Sequence, residues 1–142
     1  MEPIRRRGLL ASTASVGSFL FAGCLGNNEE FGAEWADVER IQLHASNDRW
    51  VGVSPEPIAE ANNPTFRLIH GRQYELEWTN RDGRAHAIQI RNHEGTVIEA
   101  GETIETLGES ETITFDAVFG VTTYICPHLD ATMHGSIEIF TT

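Results

Sequence analysis

Residues 73–80 set Tyr74, Leu76 and Trp78 in alternation with Glu75, Glu77 and Thr79. Successive side chains of a strand point to opposite faces. This run therefore has one face to bury and one to leave wet. Further runs cover 38–45, 50–53, 66–69, 96–99, 111–115, 122–126 and 136–140, and His86, Ile88 and Ile90 share one face of another. Turn signals stand between them at His70-Gly71-Arg72, Arg81-Asp82-Gly83-Arg84 and Asn92-His93-Glu94-Gly95. Short strands punctuated in this way predict an all-β sandwich or barrel. Residues 33–41 are also compatible with a brief helix; no long segment has helical periodicity, and no internal repeat is present.

The stretch Tyr124-Ile125-Cys126-Pro127-His128-Leu129-Asp130-Ala131-Thr132-Met133-His134-Gly135 concentrates metal-binding chemistry. It supplies a thiol, imidazoles and a thioether just before the last strand-like run. With His86 from an upstream run, these side chains can complete the soft trigonal set that holds copper in electron-transfer proteins. The other reading of Cys126 is a buried structural cysteine. His44, His70 and His93 read as ordinary strand or turn histidines. His134 could replace His128 as the second imidazole.

The N-terminus reads as a targeting segment rather than as fold. Arg5-Arg6-Arg7 precedes a small-residue and apolar run to Phe21, which is a charged region followed by a hydrophobic one. The paired arginines point to the twin-arginine export route. Leu20-Phe21-Ala22-Gly23-Cys24 resembles a lipoprotein cleavage box, so Cys24 is expected to carry a lipid anchor. The run is too short and too rich in small residues to span a bilayer. The expected organisation is a signal segment over 1–23, a tether over 24–36 and one domain over 37–142. The chain has two cysteines. With Cys24 lipidated, Cys126 has no partner for an internal disulfide, and an exported free thiol is open to oxidation unless buried or metal-bound.

All ten basic residues are arginine. Removal of 1–23 takes away Arg5, Arg6, Arg7 and Glu2, leaving seven basic and 20 acidic residues and a net charge of −13. That balance excludes nucleic-acid binding, which needs a basic footprint. An acidic surface without lysine resembles that of proteins from salt-loving organisms.

Trp78-Thr79-Asn80-Arg81-Asp82-Gly83, His86, Tyr124-x-Cys126 and Met133-x-Gly135-x-Ile137 together resemble a cupredoxin of the plastocyanin and halocyanin-like type. The resemblance spans most of residues 62–140. It implies a Greek-key β-sandwich holding one copper ion, with His86 and Cys126 as ligands and Met133 as the weak axial one. The four-residue spacing from His128 to Met133 matches the family and makes His128 the second imidazole. Two features depart from the pattern. Only Pro127 separates Cys126 from His128, where two residues are usual, and Ala87 stands where an asparagine often pins the ligand loop. The implied function is a blue copper electron carrier, not an enzyme, exported and anchored to the outer face of the cell membrane. Its implied partners are membrane-bound redox proteins. The alternatives are a copper delivery or storage protein and a metal-free binding module. A catalytic zinc is disfavoured by the thioether.

Overall fold

The computed structural model describes residues 33–141. Arg5, Arg6 and Cys24 lie outside the described residues. The compact unit that holds the strands begins at Glu34. Of the possible helix over 33–41, only a single 3-10 turn forms, at Ala33–Trp35. It closes by Val38 N–H donating to the Trp35 carbonyl at 3.2 Å, and Trp35 is buried. Beyond it the period of two prevails, because Ile41, Leu43 and Ala45 are buried on one strand face.

Nine strands follow: β1 (Arg40–Ser46), β2 (Arg49–Ser54), β3 (Phe66–Ile69), β4 (Gln73–Asn80), β5 (Gln89–Asn92), β6 (Val97–Ala100), β7 (Ser110–Asp116), β8 (Val121–Ile125) and β9 (His134–Phe140). They form two sheets, in the orders β2-β1-β4-β7 and β3-β9-β8-β5-β6. Asn47 and Asp48 join β1 to β2 with φ of 55° and 61°. Two successive positive φ values are what a tight hairpin turn requires, and Asn and Asp tolerate them. Parallel pairing of β1 with β4 and of β3 with β9 ties distant segments together.

The alternation in β4 buries Tyr74, Leu76 and Trp78, opposite Phe115, Ile113 and Glu111 of β7. Within its own sheet Trp50 meets Trp78 edge to face, with ring centroids 5.4 Å apart, and across the sandwich it tilts against Tyr124 of the other sheet at 6.4 Å. Phe66 stacks on Tyr124 at 4.2 Å. Each such aromatic pair adds about 0.5–1.5 kcal/mol beyond the area it buries. The Tyr124 hydroxyl donates to the Pro64 carbonyl, so its buried polar end has a partner. A side chain on Gly135, which pairs with Tyr124 in register, would overlap the Tyr124 ring. Only glycine lets β9 pass there.

Candidate metal centre

β5 pairs with β8 so that Gln89 faces Ile125. The residues just before β5 and just after β8 therefore meet at one end of the sandwich. His86 and Cys126 occupy those two positions.

His86 is held first through its backbone. Its N–H donates to the Ile104 carbonyl at 3.1 Å, and the Ile104 N–H donates back at 2.8 Å. The preceding turn is organised by Asn80, which is fully buried. Asn80 Oδ1 accepts from the N–H groups of Asp82 at 3.2 Å and Gly83 at 2.7 Å. Its Nδ2 donates to the carbonyls of Arg84 at 2.7 Å and Ile104 at 3.0 Å. One side chain thus binds both the turn and the segment bridged to His86. Gly83 completes the turn at φ +74°, where a residue with a Cβ is strained.

The His86 ring is fully buried, and its two nitrogens face different groups. Nε2 lies 3.0 Å from Asp82 Oδ1 and 3.1 Å from Oδ2. Nδ1 lies 3.9 Å from Cys126 Sγ. An ionised carboxylate only accepts hydrogen bonds, so the network assigns the proton to Nε2 and leaves the Nδ1 lone pair facing the sulfur. Burial pushes the Asp82 carboxyl up. The Arg84 N–H, the hydrogen bond from His86 and the Asp48 N–H together outweigh that and hold it below its ordinary range.

Cys126 opens the connection from β8 to β9. Its N–H donates to the Met133 carbonyl at 3.0 Å, closing the loop at its base. Leu129 N–H donates to the Cys126 carbonyl at 3.0 Å, which makes Cys126-Pro127-His128-Leu129 a β-turn with Pro127 in its second position. Proline is favoured there because its φ is already set. The short spacing is therefore accommodated by a tight turn. Thr132 and Met133 N–H groups both return to the Leu129 carbonyl, at 3.1 and 2.8 Å. From outside the loop, Asn63 Nδ2 donates to the Thr132 carbonyl at 2.9 Å. This contact, with the Asn80 bonds, supplies the pinning that Ala87 does not.

Cys126 and Met133 are fully buried. His128 is exposed, and its Nε2 lies 3.1 Å from Thr103 Oγ1. The structure thus brings His86 and Cys126 into contact and seats Met133 beside Cys126 through the backbone. His128 stands at the surface of the same loop, outside contact with the sulfur. His134, exposed at the start of β9, lines a different groove with Arg91, His93 and Asp130.

Among the described residues, the donor atoms of Asp48, Asp82 and His86 lie within 4.8 Å of one another. Apart from Asp48 Oδ1, which is buried without a partner, this trio is already supplied with cationic or N–H partners. Arg84 Nη1 lies 2.9 Å from Asp48 Oδ2, and His86 Nε2 faces Asp82. It reads as a hydrogen-bonded support rather than as a second cation site. Thr103 and Asn63 carry no sequence signal, and Asn80 and Asp82 were legible as a turn but not as supports of His86. The Asn80-x-Asp82-Gly83 turn signal was the one available pointer.

No protein-family model matches the sequence, and no curated protein matches it. Solved structures do. Reduced auracyanin from Roseiflexus castenholzii has a TM-score of 0.55 at 18% identity, covering 72% of this chain and 97% of its own. Rusticyanin from Thiobacillus ferrooxidans has a TM-score of 0.53 at 16% identity, covering 71% and 76%. Auracyanin A from Chloroflexus aurantiacus, described as a "blue" copper protein, has a TM-score of 0.50 at 15% identity, covering 71% and 98%. The fold is that of a cupredoxin. In this cupredoxin sandwich the donors suit a soft metal. Bonds of about 2.3 Å to a thiolate and about 2.0 Å to an imidazole hold the two donors roughly 3.5–3.7 Å apart at angles from tetrahedral to trigonal. The Sγ–Nδ1 separation of 3.9 Å lies just outside that interval.

Proposed function

We propose that the protein is a mononuclear blue copper protein that carries single electrons between redox partners. The observation that carries this reading is the contact of buried Cys126 Sγ with Nδ1 of His86 at the end of a cupredoxin sandwich. The ligand set is His86, Cys126, His128 and Met133. Copper bound there would supply the one-electron couple. The chain's own part is to hold the donors with little movement. The Ile104 bridge fixes His86, and the Cys126–Met133 backbone bond fixes the loop. Burial of His86, Cys126 and Met133 excludes water, and the exposed ring of His128 is the side from which a partner approaches. The proposed setting is the outer face of the cytoplasmic membrane, with a lipid on Cys24 and membrane-bound redox proteins as partners.

The absorption spectrum of copper-loaded protein tests this reading. An intense visible thiolate-to-copper band is expected, and Cys126→Ser should abolish it while the circular dichroism of the sandwich is kept. A colourless copper complex in the parent protein points instead to delivery or storage. A Cys126→Ser variant that remains blue and redox-active refutes the assignment.

A further inference from the structure

We propose that Asp82 is a positioning residue for the metal centre: its carboxylate fixes the tautomer and orientation of His86 and biases the site toward the oxidised ion. This deepens the copper reading and rests on it. The geometry has three parts. Both carboxylate oxygens reach Nε2, at 3.0 and 3.1 Å. Arg84 N–H donates to Oδ1 at 3.0 Å, so the carboxylate is itself held in place. The Asp82 side chain is 11% exposed and the ring is fully buried, so little water screens the pair.

A neutral imidazole has two tautomers, and only one leaves the Nδ1 lone pair toward Cys126. A carboxylate at Nε2 selects that one, because the other tautomer would set an unprotonated nitrogen against an anion. Partners of this kind raise the basicity of a ligating imidazole. The oxidised ion carries one more positive charge than the reduced ion, so a nearby anion favours it and lowers the reduction potential. The Arg84 guanidinium is paired with Asp48, while the Arg84 backbone N–H holds Asp82.

The test compares Asp82→Asn, which keeps an acceptor and removes the charge, with Asp82→Ala, which removes both. Metal-free protein is read by nitrogen NMR of His86, and copper-loaded protein by spectrum, copper affinity and potential. In the parent, Nε2 should carry the proton and Nδ1 should not. Asp82→Ala should lose this preference and bind copper about 10–100-fold more weakly. Asp82→Asn should keep the visible band and raise the potential. A tenfold loss of preference for the oxidised ion corresponds to about 59 mV. A purely structural role would lower the melting temperature of both variants with no change in potential, which overturns the proposal. So does an Nδ1-protonated His86 in the parent. If Asp82→Ala does not fold, Asp82→Asn decides through the potential. If the parent binds no copper, the copper reading fails by itself, and the metal-free tautomer in the parent and Asp82→Asn still decides whether Asp82 sets the ring.

Discussion

At the loop after β8, alternate side chains take opposite roles. Met133 is buried, His134 is exposed and Gly135 is buried again, as expected where successive residues of a strand point to opposite faces. His134 therefore faces the groove beside Arg91 and His93. His128 sits on the same loop as Cys126, inside the turn that Pro127 favours. We expect His128→Ala to lose the visible copper band or to open the site to added imidazole. His134→Ala should keep the spectrum. Paired spectra of the two variants check this, and the reverse pattern transfers the ligand role to His134. Residue types and spacing made His86, Cys126 and Met133 legible as chemistry. The same order of residues did not show that Nε2 of His86 would face Asp82, because that depends on how the Asn80 turn folds back on the ring.

Pairing between β1 and β4 has a consequence for acid stability. Arg40 Nη1 lies 3.0 Å from Glu75 Oε1, and its Nη2 lies 3.0 Å from Glu77 Oε1. Gln42 Nε2 donates to Glu77 at 2.8 Å. The Gln42 hydrogen bond, then that of Arg40, hold the Glu77 carboxyl below its ordinary range, against the opposing effect of burial. An unfolded glutamate titrates at about 4.3. Above that pH the carboxylate is ionised in both states and its stabilisation is complete. As the pH falls, the unfolded chain takes up the proton first, so the contribution is lost between that value and the lower folded one. Melting temperature should therefore fall less steeply with acid in Glu77→Gln than in the parent, below about pH 5. Equal slopes would show that the cluster does not stabilise the fold. The strand itself was readable from alternation. Its parallel partner was not, because the residues that pair, such as Gln42 and Glu77, are far apart in the chain and carry no local sign of each other.

For the whole molecule, charge and anchoring are coupled. Under the proposed lipid anchoring, a chain beginning at Cys24 carries a net charge of −13, which an anionic membrane surface would repel, and the lipid would supply the attachment. Surface repulsion is screened by salt, with a Debye length of about 3 Å at 1 M. We expect Cys24→Ser to release the protein from membranes or to leave the precursor uncleaved. Membrane extraction and intact mass check this; no change in either rules out the lipid assignment.

Alternation, turn residues and ligand type are local properties, so the all-β class, most strand positions and the donor-rich loop were legible in the order of residues. Which atoms meet was settled by the packing of the two sheets. Ile104, Thr103 and Asn63 reach the centre from segments whose sequences carry no metal signal. They do so through hydrogen bonds that exist only once the two sheets are packed. The same packing placed an aspartate behind the buried imidazole, turning a surface turn signal into a support for its orientation.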